Sequence, residues 1–119
     1  MKLALKAAVI AAALSLPAAA VAHHGWSSYE PEKNTVLEGS IDAVRYANPH
    51  AEIDMTVGGQ KWLITLAPLS RMETRGVTEA VLKVGQKVKV EGKRSLTPSR
   101  FEIKCEQITI NGKTTPLRA

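Results

Sequence analysis

The chain holds three histidines, and two of them are adjacent: His23 and His24, with His50 following the Asn48-Pro49 pair. What precedes the first pair gives it its chemical interest. Lys2 and Lys6 form a short basic start, Ala7 to Leu16 is an apolar run broken by Pro17, and Ala20-Val21-Ala22 has the A-x-A form of a leader-peptidase site. This is the pattern of a secretory signal peptide over residues 1–22, too short in its apolar part for a membrane span. Cleavage after Ala22 would give His23 a free α-amine with a pKa near 8. That amine and the imidazole of the same residue can close a chelate ring on one metal ion. A further imidazole from His24 or His50 would complete a T-shaped or square set of three nitrogens, the arrangement of a histidine brace. Nitrogen-rich tetragonal sites suit Cu(II). The plainer reading is an exposed tip at 23–24 and a histidine that merely caps a turn at 50. Histidine stands at mature positions one and two rather than three, so the tight amino-terminal copper motif is absent.

Glu52 and Asp54 follow His50 at a spacing of two. On a strand their side chains project to the same side as His50, about 6.5–7 Å apart. They are candidates for oxygen ligands or for carboxylates orienting the His50 ring, and equally for the solvated face of a half-exposed strand. A second cluster is basic: Lys87, Lys89, Lys93 and Arg94, with Lys83 and Arg100 nearby. This strand face could attract an anionic envelope component, such as lipid headgroups or lipopolysaccharide phosphates, or an acidic protein partner. It could also be an edge guarded by lysines against aggregation. The one cysteine, Cys105, cannot pair within the chain and alternates with Phe101 and Ile103, as a small buried hydrophobe would.

Composition narrows the alternatives. With 119 residues the chain is one domain at most, and removal of residues 1–22 leaves 97 residues with a charge of +3 once Lys2 and Lys6 are gone. Aromatics at 4% are too few for a base-stacking surface, and an exported protein is not expected to meet nucleic acid. There is no nucleophile elbow and no phosphate-cradling glycine loop. A barrel of 97 residues offers little room for a cleft in which a carboxylate pair could cleave glycosides. The expectation is a binding protein rather than an enzyme.

The elements that must hold these residues are read from periodicity and breakers. Residues 23–34 (HHGWSSYEPEKN) read as an irregular arm, in which Trp26 could pin the segment across the barrel mouth and bring His23 toward His50. Val36 to Tyr46 is a long strand whose Gly39 suggests a bulge or bend. His50 to Val57 alternates, with Ala51, Ile53, Met55 and Val57 on one face; Gly58-Gly59 turns the chain; Lys61 to Leu66 returns with Trp62, Ile64 and Leu66 inward. Ser70-Arg71-Met72-Glu73 has the form of a capping box, and Gly76 of a helix terminator. Lys87 to Glu91 and Arg100 to Ile110 complete the set. The order β-β-β-α-β-β, with a long first strand and a helix between strands three and four, predicts an all-β domain over residues 35–119, a small OB-type five-stranded barrel. An SH3-like barrel or an open meander is the alternative.

His23-His24-Gly25, Asn48-Pro49-His50-Ala51, Trp62, Arg75-Gly76-Val77-Thr78 and Leu82 to Val88 together resemble an exported bacterial family known as domain of unknown function 6152. Gly25 stands where members more often have Ser. The resemblance implies a small periplasmic protein and carries no activity with it. Two functions are therefore expected: a periplasmic copper-binding protein using His23 with His24 or His50, or a metal-free module that binds an anionic envelope component or a partner protein.

Overall fold

The computed structural model describes residues 25–118. The leader, His23 and His24 lie outside the described residues. Six strands follow a short 3-10 turn at Gly25–Ser28: β1 Thr35–Arg45, β2 Glu52–Val57, β3 Gln60–Thr65, β4 Lys87–Arg94, β5 Glu102–Ile110 and β6 Lys113–Pro116. Among the described residues a single α-helix, α1 Leu69–Thr74, joins β3 to β4.

The sheet order is β3-β2-β1-β4-β5-β6, and β3 also pairs with β5. That last pairing is parallel, with Leu63, Ile64 and Thr65 opposite Glu102, Ile103 and Lys104, while all the others are antiparallel. Strands β1 to β5 thus form a closed mixed barrel of the OB type, as the element order predicts. β6 is an addition: Asn111-Gly112 turns the chain instead of ending it, and Lys113–Pro116 pairs back onto β5.

The alternating positions fill the barrel. Ala51, Ile53, Met55, Ile64, Leu66, Val90, Ile103 and Ile108 are buried, and α1 adds Met72. Trp62 is buried too, edge-on to Phe101 with ring centroids 5.3 Å apart. Closing five strands around so small a core needs sharp local curvature, and two bulges provide it. In β1 the register to β2 shifts between Ile41 and Ala43, leaving Asp42 as the extra residue. Gly39 therefore marks the bend rather than the bulge: at Ser40 the strand passes from pairing with β4 to pairing with β2. In β5 the register to β4 shifts so that Glu91 faces Gln107 while Gly92 faces Cys105. Glu106 is the inserted residue. Inward positions run 103 and 105 before it, then 108 and 110 after it.

Two local expectations need correction. Ser70 does not cap α1. The helix starts two residues earlier, with Pro68 at the N-cap and no side-chain cap bond, and the Ser70 carbonyl accepts from the Thr74 hydroxyl at 2.8 Å. Proline at the boundary fixes an extended backbone there (φ −58°, ψ 147°) and so decides the start. The terminator holds: Gly76 has φ 81°, its N–H donates to the Glu73 carbonyl, and the Val77 N–H donates to the Met72 carbonyl at 2.9 Å, a Schellman pair. The arm is also more regular than expected. Its 3-10 turn closes through Tyr29 N–H to the Trp26 carbonyl, Tyr29 bridges to Ser95, and Glu30 N–H donates to the Arg94 carbonyl at 2.7 Å.

Candidate functional site

Pinning the arm to the end of β4 places Trp26 over the outer side of β5. Its ring lies edge-on to Tyr29, 6.2 Å between centroids. The Lys104 ammonium sits 4.6 Å from the Trp26 centroid and 5.6 Å from that of Tyr29, and the Arg118 guanidinium lies 5.3 Å from Trp26. Under this lid is an open cavity of about 800 Å³. Trp26, Pro31 and Pro68 supply apolar wall, and His50 contributes from the loop between β1 and β2.

The cavity is rich in positive charge. Arg71 from α1, Lys93 from β4, Lys104 from β5 and Arg118 from the chain after β6 all line it, against the carboxylates of Glu30 and Glu106. Lys93 and Lys104 are direct cross-strand partners. Like charges directly opposite on antiparallel strands destabilise a sheet, so this pair works against the fold unless a negative group lies between or beside it. Glu106, turned outward by the β5 bulge, does so only in part: its carboxylate is 3.9 Å from the Lys93 ammonium and 3.3 Å from the Asn34 amide. Burial, helped by repulsion from Arg118, holds Lys104 below the usual lysine range. Burial also lowers Arg118.

The two arginines are anchored by backbone. Arg71 Nη1 donates to the Leu117 carbonyl at 3.1 Å, and Arg118 Nη2 donates to the Leu66 carbonyl at 2.8 Å. The Leu117 N–H donates to the carbonyl of Glu106 at 2.7 Å and ties the tail to the bulge. Arg118 Nε is buried and has no hydrogen-bond partner among the described residues.

The residues expected from sequence divide. His50 lines this cavity together with Trp26, three residues beyond His23. Glu52 and Asp54 do share an outward face, but Arg45 takes both: Nε to Glu52 at 2.9 Å, and Nη1 and Nη2 to the two oxygens of Asp54 at 3.1 and 2.7 Å. That pairing holds the Asp54 carboxyl below the usual range. No group of three or more His, Cys, Asp or Glu able to hold a metal occurs among the described residues. The basic strand face is broken up. Lys87 and Lys89 stay exposed at the start of β4, Lys93 enters the cavity, and the Arg94 guanidinium stacks 4.9 Å from the Trp62 centroid and 5.0 Å from that of Phe101. Cys105 is fully buried, its thiol donates to the Gln107 carbonyl at 3.2 Å, and burial pushes it up to about 12. Glu30, Arg71, Lys104, Glu106 and Arg118 are the charged cavity residues that sequence reasoning missed. The alternation of β5 put Lys104 outward, but only the β4–β5 register sets it opposite Lys93.

No helix among the described residues is long and apolar enough to cross a membrane. No curated protein matches the sequence. Among solved structures, the ZRD-deleted mutant of TiaS in complex with agmatine is similar over 75% of this chain and 25% of its own length, at 19% identity and a TM-score of 0.51. This chain therefore spans about a quarter of that protein, and the likeness is one of fold. At the level of sequence, residues 11–103 match the family described as "Family of unknown function (DUF6152)", and the chain belongs to that family.

Proposed function

We propose that this is an exported binding module whose ligand is an anion held in the cavity beneath the N-terminal arm, at the periplasmic address its leader-like first 22 residues suggest. The observation that carries this reading is the Lys93–Lys104 cross-strand pair, with Arg71 and Arg118 in the same cavity and two carboxylates to offset them. Such a pair costs stability by like-charge repulsion, and a bound anion would offset that cost. The site relocates the basic surface expected along β4: Lys93 belongs to it, while Lys87 and Lys89 do not line it. Calorimetric titration with inorganic phosphate at low salt tests this. Saturable binding that is lost in Lys93→Glu and Lys104→Glu and kept in Lys87→Glu is expected. Equal sensitivity to all three substitutions would mean general charge attraction and no site.

Copper is the second reading, favoured by one observation: Trp26 and His50 line the same cavity. Three residues can span about 10 Å, so a processed His23 amine and imidazole are within reach of the His50 region. The four neighbouring cations oppose it, because Glu30 and Glu106 offset only two of them and a divalent metal there meets net repulsion. Mass spectrometry should show an unblocked His23. Copper titration should then give one tight equivalent, lost in His50→Ala and on inserting one residue before His23. Affinity unchanged by both edits removes the metal reading.

A further inference from the structure

We infer, resting on the anion reading above, that the cavity takes an organic dianion, specifically a phosphate monoester with an apolar flank. The charge count comes first. The permanently charged partners, Arg71, Lys93, Lys104 and Arg118 against Glu30 and Glu106, leave two positive charges, so a dianion balances them and a single carboxylate balances only half. Phosphate monoesters carry close to two charges above pH 7.

The kind of donor points the same way. Planar guanidinium forks grip carboxylates and phosphates in bidentate fashion, but an Nη of each arginine here is spent on a backbone carbonyl, Arg71 on Leu117 and Arg118 on Leu66. What remains to grip the ligand is a pair of ammonium groups on facing strands, one of them 3.9 Å from the Glu106 carboxylate, together with the guanidinium N–H groups of Arg71 and Arg118 that no backbone carbonyl takes. Two point charges opposite one another match a tetrahedral group with three terminal oxygens, which can accept from both lysines and still offer an oxygen to a third donor.

Size and wall chemistry then require more than the bare ion. A cavity of about 800 Å³ is far larger than phosphate and falls within the range of about 300–1,000 Å³ usual for small organic ligands. Pro31, Pro68 and the Trp26 ring, which is 42% exposed, form an apolar side to it. Trp26 is held in place by the 3-10 turn and by Lys104 and Arg118 against its ring, and the part of it left exposed offers an apolar contact to the ester's body.

Both a soluble ester and a lipid phosphate fit this chemistry, and the probes separate them. The protein recovered from the exporting cell is titrated at pH 8 with phenyl phosphate, inorganic phosphate and benzoate, and with phosphatidylcholine vesicles with and without phosphatidic acid. Phenyl phosphate is expected to bind about tenfold or more tightly than either inorganic phosphate or benzoate. Lys104→Met and Lys93→Met should each weaken it about 10- to 100-fold, the scale of one lost charge-assisted contact, while the melting temperature stays unchanged or rises. Trp26→Ala should bring phenyl phosphate down to the level of inorganic phosphate and leave inorganic phosphate itself unaltered. Phosphatidic acid vesicles that displace phenyl phosphate support a lipid source, and vesicles that do not support a soluble one. Inorganic phosphate or benzoate binding as tightly as phenyl phosphate overturns the inference and leaves an anion site standing. Absence of binding by every anion overturns both.

Discussion

Gly92→Ala tests the link between the barrel and the cavity. Gly92 faces Cys105 across the β5 bulge, one residue before the Lys93–Lys104 pair. A Cβ built there would lie 2.1 Å from the Lys104 carbonyl oxygen, 2.8 Å from Cys105 Cα and 2.9 Å from the Lys104 carbonyl carbon. All three are backbone atoms, so no rotamer change relieves the contact and β4 must separate from β5. Overpacking costs about 1–3 kcal/mol where side chains can shift, so this site belongs at about 3 kcal/mol or above. The lower chain entropy of alanine in the unfolded state returns at most about 1 kcal/mol of that. For a domain of this size the net loss of about 2–3 kcal/mol lowers the melting temperature by roughly 8–24 °C. Gly39→Ala is the internal comparison. Its closest contact is the Thr56 carbonyl oxygen at 3.0 Å, and the next two are the side-chain tips of Val57 and Met55, which can move; a loss of about 1 kcal/mol is expected there. Thermal unfolding followed by circular dichroism reads both. A Gly92→Ala protein that melts within a few degrees of the parent, or above Gly39→Ala, would refute the close strand approach on which the Lys93–Lys104 juxtaposition depends.

The Arg45 fork makes part of the stability acid-sensitive. Asp54 is held below the ordinary carboxylate range by Arg45, so its contribution is complete above about pH 3.9, the unfolded value, and is lost as pH falls through the lower folded value. Asp54→Asn should cost about 0.5–1 kcal/mol at pH 7 and progressively less as pH falls below about 3.9, as read by urea melts across that range; a difference independent of pH would contradict the pairing. Cys105 should be inert in the native protein, because its thiol is buried and pushed up to about 12. A thiol-exchange reagent at pH 8 should label it only after unfolding, and native labelling at the rate of a free thiol would contradict its burial.

Much of the barrel was legible because its alternation is unbroken where it matters. Ala51, Ile53 and Met55, then Trp62, Ile64 and Leu66, are inward as a period of two requires. Gly76 was legible because one residue with φ above zero ends the helix. β6 was missed because Lys113 to Pro116 is four residues with little apolar pattern, and it becomes a strand only through pairing with β5. The capping box at Ser70 was misread because Pro68 fixes the boundary first. In the site, the individual charges were visible but their meeting was not. Lys93, Lys104, Arg71 and Arg118 come from two strands, the helix and the tail, and their convergence depends on the barrel closing and on the one-residue bulge at Glu106. The common outward direction of Glu52 and Asp54 was legible, but His50 sits in the loop before β2 and lines the cavity apart from them, and Arg45, directly opposite Glu52, captures the carboxylates.

The most direct measurement is an NMR titration of isotope-labelled protein with phenyl phosphate, following backbone amides and the tryptophan indoles at low salt. The anion site requires saturable shifts concentrated on Lys93, Lys104, Arg118 and the Trp26 indole, with Lys87, Lys89 and Trp62 near their starting positions. Shifts that centre on Lys87 and Lys89, or that spread over the basic surface without saturating, would contradict it.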